Sequence, residues 1–133
     1  MFNSDKRFAK RHYNNKIQII RKKILDVEFL VDEYKMTREG FRTEYDRIKE
    51  MQDACVVRIE EENKKEDKDK DVIAQLTKLK EKYDPDILKL QKQMETIDLQ
   101  IDGPLPNGQQ CLKETMEGLR TVIDLLKRKI SKL

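Results

Sequence analysis

Side chains able to do chemistry are few in this chain, and they stand apart. The single histidine, His12, lies in a strongly basic segment with no acid or nucleophile at a helical spacing from it. Cys55 and Cys111 are far apart in sequence, and neither has a second cysteine or histidine close by, so zinc-ligand spacing is absent. A thiol on an apolar helix face, as at Cys55, behaves as a small hydrophobe. Both thiols are therefore expected to be reduced, in an intracellular compartment. The acid pairs Asp46/Glu50 and Glu61/Glu62 fit a solvated helix face. Glycine-rich phosphate loops, nucleophile elbows and acid-rich cation loops are missing from the sequence. These features point away from an enzyme, with no catalytic residue, no metal ligand set and no cofactor expected.

Charge is the stronger signal. Charged residues make up 41% of the 133 and aromatic ones 6%, too polar for an ordinary globular core. The net +3 is unevenly placed. Lys6, Arg7, Lys10, Arg11, Lys16, Arg21, Lys22 and Lys23 stand against the single acid Asp5 in the first 23 residues, a net +7 that leaves −4 for the remainder. This basic patch could neutralise phosphates of a nucleic acid, with Phe8 and Tyr13 to stack. It could equally meet an anionic surface, with Phe2 and Phe8 inserting. The first 15 residues hold no apolar signal-peptide core, and no uncharged run is long enough to span a bilayer, so no transmembrane segment is expected. The expected location is intracellular, in the cytoplasm rather than the nucleus.

The elements that must position these charges are helices. Ile17, Ile24, Val31, Tyr45 and Ile59 share one heptad position, and Ile20, Val27, Tyr34, Phe41, Ile48 and Cys55 share the other. Only Arg38 and Gln52 interrupt this seam. Six heptads without a proline predict one long helix packed along another. Leu25, Phe29 and Met36 form a second stripe off the seam, as expected of a helix buried on two sides. Residues 60–71 hold seven acids and four bases and predict a solvated connection, most open near 63–70, with Asp71 capping the next helix. A second helix follows through Val72, Leu76, Leu79 and Tyr83, then Ile87, Leu90, Met94, Ile97 and Ile101. Its three-four spacing stutters between Tyr83 and Ile87, and Pro85 falls there, so a kink or restart is expected. The loop at 103–108 contains Gly103, Pro104, Pro106 and Asn107, the last a candidate cap. A third helix carries Leu112, Met116, Leu119, Ile123, Leu126, Ile130 and Leu133.

The expected architecture is all-α: an elongated antiparallel three-helix bundle or coiled coil with one long N-terminal helix. Residues 1–16 would form a basic arm and residues 17–133 the bundle. At about 1.5 Å per residue the first helix (17–59) spans about 65 Å and the second about 46 Å. A second helix folded back along the first leaves residues 17–27 without intramolecular cover. Ile17, Ile20, Ile24, Leu25, Val27 and Phe29 are thus the expected partner-binding residues.

One resemblance is carried by Leu88-Lys89-Leu90, Met94-Glu95-Thr96-Ile97-Asp98-Leu99, Leu112-Lys113-Glu114, Gly118-Leu119 and Ile123. Residues 86–130 resemble the last two helices of a BAG domain, the module by which co-chaperones grip the ATPase domain of heat-shock chaperones. The resemblance implies Asp98 as a chaperone contact. Met116 stands where the family carries an arginine, Asp124 where it carries a glutamine, and Pro85 interrupts its second helix.

The expected function is a non-enzymatic structural or adaptor protein that assembles with a partner helix, of the same or a different chain, through an exposed coiled-coil seam. The alternatives are a BAG-like co-chaperone, and nucleic-acid or anionic-surface binding through residues 6–23.

Overall fold

A computed structural model describes the backbone from Phe2 to Leu133 and the side chains from Ser4 onward, so the Phe2 side chain lies outside the described residues. All regular structure among the described residues is helical. The elements are α1 (Phe2–Asn63), α2 (Lys70–Asp102), a short 3-10 turn (Pro106–Gly108) and α3 (Leu112–Ser131).

Every heptad position of α1 from Ile17 to Ile59 is buried or half-buried, including the two polar interruptions. The helix also runs unbroken through residues 2–16, where a separate arm is expected. Tyr13 explains why: it extends the seam and packs against the first core cluster, so the turns before it propagate from a fixed helix.

The chain divides into two compact units, and α1 contributes to both. The first contains α1 up to Lys35 together with Asp98–Leu133. Its core is Ile17 and Ile24 of α1 with Ile123 and Leu126 of α3, and Tyr13, Ile20, Leu119 and Ile130 pack against it. The expectation that residues 17–27 lack intramolecular cover is therefore corrected: α3 covers them. The three-four seam of α3 matches the α1 heptads as well as that of α2 does, and it takes the stretch α2 leaves open.

The second unit is Met36–Ile97. Ile48 meets Ile87 and Leu90, with Phe41, Tyr45 and Tyr83 around them. Here α2 continues through Pro85 without the expected restart. Gln52 belongs to the same neighbourhood. Its buried amide donates from Nε2 to the Lys80 carbonyl at 3.0 Å and to Asp84 Oδ1 at 2.6 Å, while Oε1 accepts from Lys49 Nζ at 3.2 Å. A polar residue in the seam thus supports the helix turn that leads into the proline. Proline lacks an N–H, which leaves the Glu81 carbonyl without its helical donor, and Gln52 braces the neighbouring Lys80 carbonyl and the Asp84 side chain.

The charged connection is residues 64–69, close to expectation, but its cap is Asp69 and not Asp71. Asp69 Oδ1 accepts from the N–H groups of Asp71 and Val72, which satisfies two free donors of the first turn of α2. Glu62 closes the connection from the other side. Its carboxylate accepts from Lys65 Nζ at 2.9 Å and from the Asp69 N–H at 3.1 Å. The Lys65 hydrogen bond, followed by that of Asp69, holds the Glu62 carboxyl below the usual carboxylate range. A depressed folded-state pKa stabilises above the unfolded value and is lost as pH falls through the folded one. The Asp69 amide resonance should therefore titrate with Glu62 in an NMR pH series, with a midpoint below the ordinary glutamate value. A midpoint at the ordinary glutamate value would contradict this closure.

At the end of α2, Gly103 takes φ +70 and its N–H donates to the Leu99 carbonyl, the left-handed cap expected of it. A β-carbon there would also lie 3.3 Å from Cys111 Sγ. Asn107 does not cap α3. It sits inside the 3-10 turn at φ 60, and Cys111, extended and fully buried, is the N-cap residue.

Candidate partner-binding site

The residues expected to bind a partner divide in two. Ile17 and Ile24 are core, Ile20 packs against it and Val27 is half-buried, so a partner could reach the first two only by displacing α3. Leu25 (63% exposed) and Phe29 (65%) face solvent, and Met36 further along the same helix does too. The heptad explains the split: Leu25 and Phe29 lie off the seam that α3 covers.

Contacts in the first unit define how α1 and α3 meet. Glu28 pairs with Arg120 at 3.6 Å, and the Lys129 ammonium sits 5.8 Å from the centre of the Tyr13 ring. Half-exposed ion pairs contribute little energy, but this one marks an edge of the helix pair. Ile19 lies nine residues before Glu28, about 180° around α1. Leu125 lies five residues after Arg120, about 140° around α3. Both lie well off the face that each helix turns to the other, on the side away from that ion pair. Ile19 (59% exposed), Leu125 (49%) and Val122 (41%) are all open to solvent there. None of the three was singled out by the sequence pattern, because Ile19 is off its seam and Val122 and Leu125 flank theirs. Their only signal is being apolar one step outside a heptad.

The basic residues Lys6, Arg7, Lys10, Arg11, Lys16, Arg21, Lys22 and Lys23 are all exposed. The fold adds to them. Lys6, Arg7 and Lys10 line a shallow cleft with Ile130 and Leu133, which places the basic last turns of α3 beside the first turns of α1. Tyr13 is half-buried beneath Lys129, so its ring is not the open stacking platform that single-stranded nucleic acid needs.

Other candidate chemistry is already engaged. The cleft of the second unit is lined by Glu44, Arg47, Ile48, Tyr83 and Leu90 among others, and there Glu44 and Arg47 are bonded to each other. That bond lowers the Glu44 pKa. Asp98 is half-buried and has an interaction partner. Residues 86–130 are shared between units, 86–97 in the second and 98–130 in the first. Among the described residues no cluster of His, Cys, Asp and Glu could hold a metal ion, and no helix is long and apolar enough to cross a membrane. No protein-family model matches the chain, and comparison with curated proteins and with solved structures gives no match.

Proposed function

We propose that the protein is a non-enzymatic helical adaptor that holds a partner helix against α1 and α3. The reading is carried by one observation: after the α1–α3 core is filled, Ile19, Leu25, Phe29, Val122 and Leu125 remain exposed. Large exposed apolar side chains on a highly charged helical chain are candidates for interaction surfaces. In this reading the helices pair antiparallel within each unit, as a coiled coil does. The Glu28–Arg120 and Tyr13–Lys129 contacts of the first unit support that direction, as do Gln52–Asp84 and Tyr45–Gln91 of the second.

The seam at Ile17, Ile20, Ile24 and Val27 is internal in this proposal, and docking uses side chains outside it. A double variant, Leu25→Asp with Phe29→Asp, should keep the circular-dichroism spectrum while reducing the molar mass of the assembly isolated natively from the source cells. An assembly of unchanged mass would remove α1's outer stripe from the docking surface. A chain that is monomeric before any substitution would overturn the adaptor reading itself.

A further inference from the structure

We infer that the outer face of α1 between Arg21 and Glu33 is a self-association site, occupied by the same face of a second, antiparallel copy of this chain. The inference rests on the adaptor reading and names the partner that Leu25 and Phe29 take. At about 100° per residue, Leu25 and Phe29 lie about 110° and 150° from the mean direction of Tyr13, Ile17, Ile20 and Ile24, on the same side. They form one stripe turned away from α3, and each keeps more than three-fifths of its surface in water.

Charges around this stripe are ordered by sign. Arg21 and Lys22 stand before it, Asp32 and Glu33 after it, and all four are exposed. Measured from the midline between Leu25 and Phe29, Arg21 and Asp32 lie about 60° and 40° to one flank. Lys22 and Glu33 lie about 40° and 60° to the other. A two-fold axis set across the helix at the level of Val27 makes residues equally far before and after it level with each other, and it keeps the flanks. Leu25 then meets Phe29 of the second copy. Arg21 comes within one residue's rise of Asp32, and Lys22 within one of Glu33, each on a matching flank.

This match selects both the occupant and its direction. A symmetric contact needs a patch that complements itself, and here opposite charges flank an apolar centre. A parallel pair would set bases level with bases and acids level with acids, which repel. Asp26 and Glu28, nearest the axis, lie about 80° out on opposite flanks, beyond the contact, and Glu28 already pairs with Arg120. Glu33 also has an interaction within its own chain, and a carboxylate accepts from more than one donor. Two apolar residues per copy bury far less than the roughly 800 Å² per partner of a stable interface, so the dimer is weak and depends on concentration.

The test uses the purified full chain and follows molar mass against concentration by sedimentation. The chain should be a monomer at about 5 μM and mostly dimer at about 500 μM, with association weakening as salt rises. Arg21→Glu with Lys22→Glu makes the face acidic throughout, and Asp32→Lys with Glu33→Lys makes it basic throughout. Each should weaken self-association by about tenfold or more, while an equimolar mixture of the two restores the dimer. Circular dichroism should be native in both, since neither variant touches the core cluster. Direction is read by zero-length carbodiimide cross-linking. Lys22 and Glu33 lie about 16 Å apart along one helix, so a bond between them cannot form within a helix or in a parallel pair. Dimers that withstand both charge variants, or that yield no Lys22–Glu33 cross-link, overturn the inference. A purified chain that stays monomeric at about 500 μM overturns it too, and the adaptor reading survives that result if the natively isolated assembly still exceeds one chain in mass.

Discussion

Ile24→Asp should unfold the first unit, whereas Leu25→Asp, one residue on, should leave it folded. Ile24 is buried in a cluster with Ile17, Ile123 and Leu126, so an aspartate there has no water and no cationic partner inside the core. Burying an unpaired carboxylate belongs to the small group of changes that cost about 4 kcal/mol or more. Leu25 is mostly exposed, and its replacement should cost about 1 kcal/mol at most, from lost helix propensity and side-chain contact. Urea unfolding followed by circular dichroism gives both values. Amide exchange adds the location: in Ile24→Asp the α3 amides should lose protection while those around Ile48 and Ile87 keep theirs. If α3 stays protected, it is not held by the residues assigned to it.

The second large effect runs against intuition from the heptad pattern. Gln52 is a polar break in an apolar seam, and Gln52→Leu makes the repeat more regular. It should nevertheless destabilise the second unit by about 2 kcal/mol. Three hydrogen bonds end on this buried amide, two of them joining α1 to the turn of α2 before Pro85. Leucine would leave the Asp84 carboxylate and the Lys80 carbonyl facing an apolar side chain. Removing one partner costs more than removing both, so adding Asp84→Ala to Gln52→Leu should recover part of the loss. Urea midpoints of the single and double variants measure the recovery. A stabilised Gln52→Leu protein would show that these bonds carry no net weight.

Much of the helical organisation is legible in the residues. The α1 seam is buried or half-buried at every heptad position, the connection falls at 64–69, and Gly103 ends α2 as its position implies. Local chemistry decides these features, and local chemistry is what spacing encodes. Errors arise where two residues or two elements are chemically interchangeable. Asp69 and Asp71 can each cap a helix, and the one further out does so. Asn107 is a better cap by type than Cys111, yet Cys111 stands where α3 begins.

The largest misreading is of pairing. Apolar stripes on α2 and α3 have the same period, so nothing in them says which one lies on which part of α1. Matched in length against α2 alone, residues 17–27 stand bare and a core reads as a docking site. The exposed pair Leu25 and Phe29 was recognisable as a second stripe. Ile19, Val122 and Leu125 were not, because their significance depends on which edges of α1 and α3 stay open. The continuity of α2 through Pro85 is not legible either: Gln52, which braces the turn before it, lies more than 30 residues away in sequence.

The positions of the two cysteines give the protein a pair of internal clocks. Cys55 is buried in the second unit and Cys111 is fully buried in the first, and both are free thiols. A thiol reagent can modify each only when its own unit opens, so their labelling rates time two separate opening events in one molecule. A ligand seated on the first unit should slow the Cys111 clock selectively, without any added probe or altered residue.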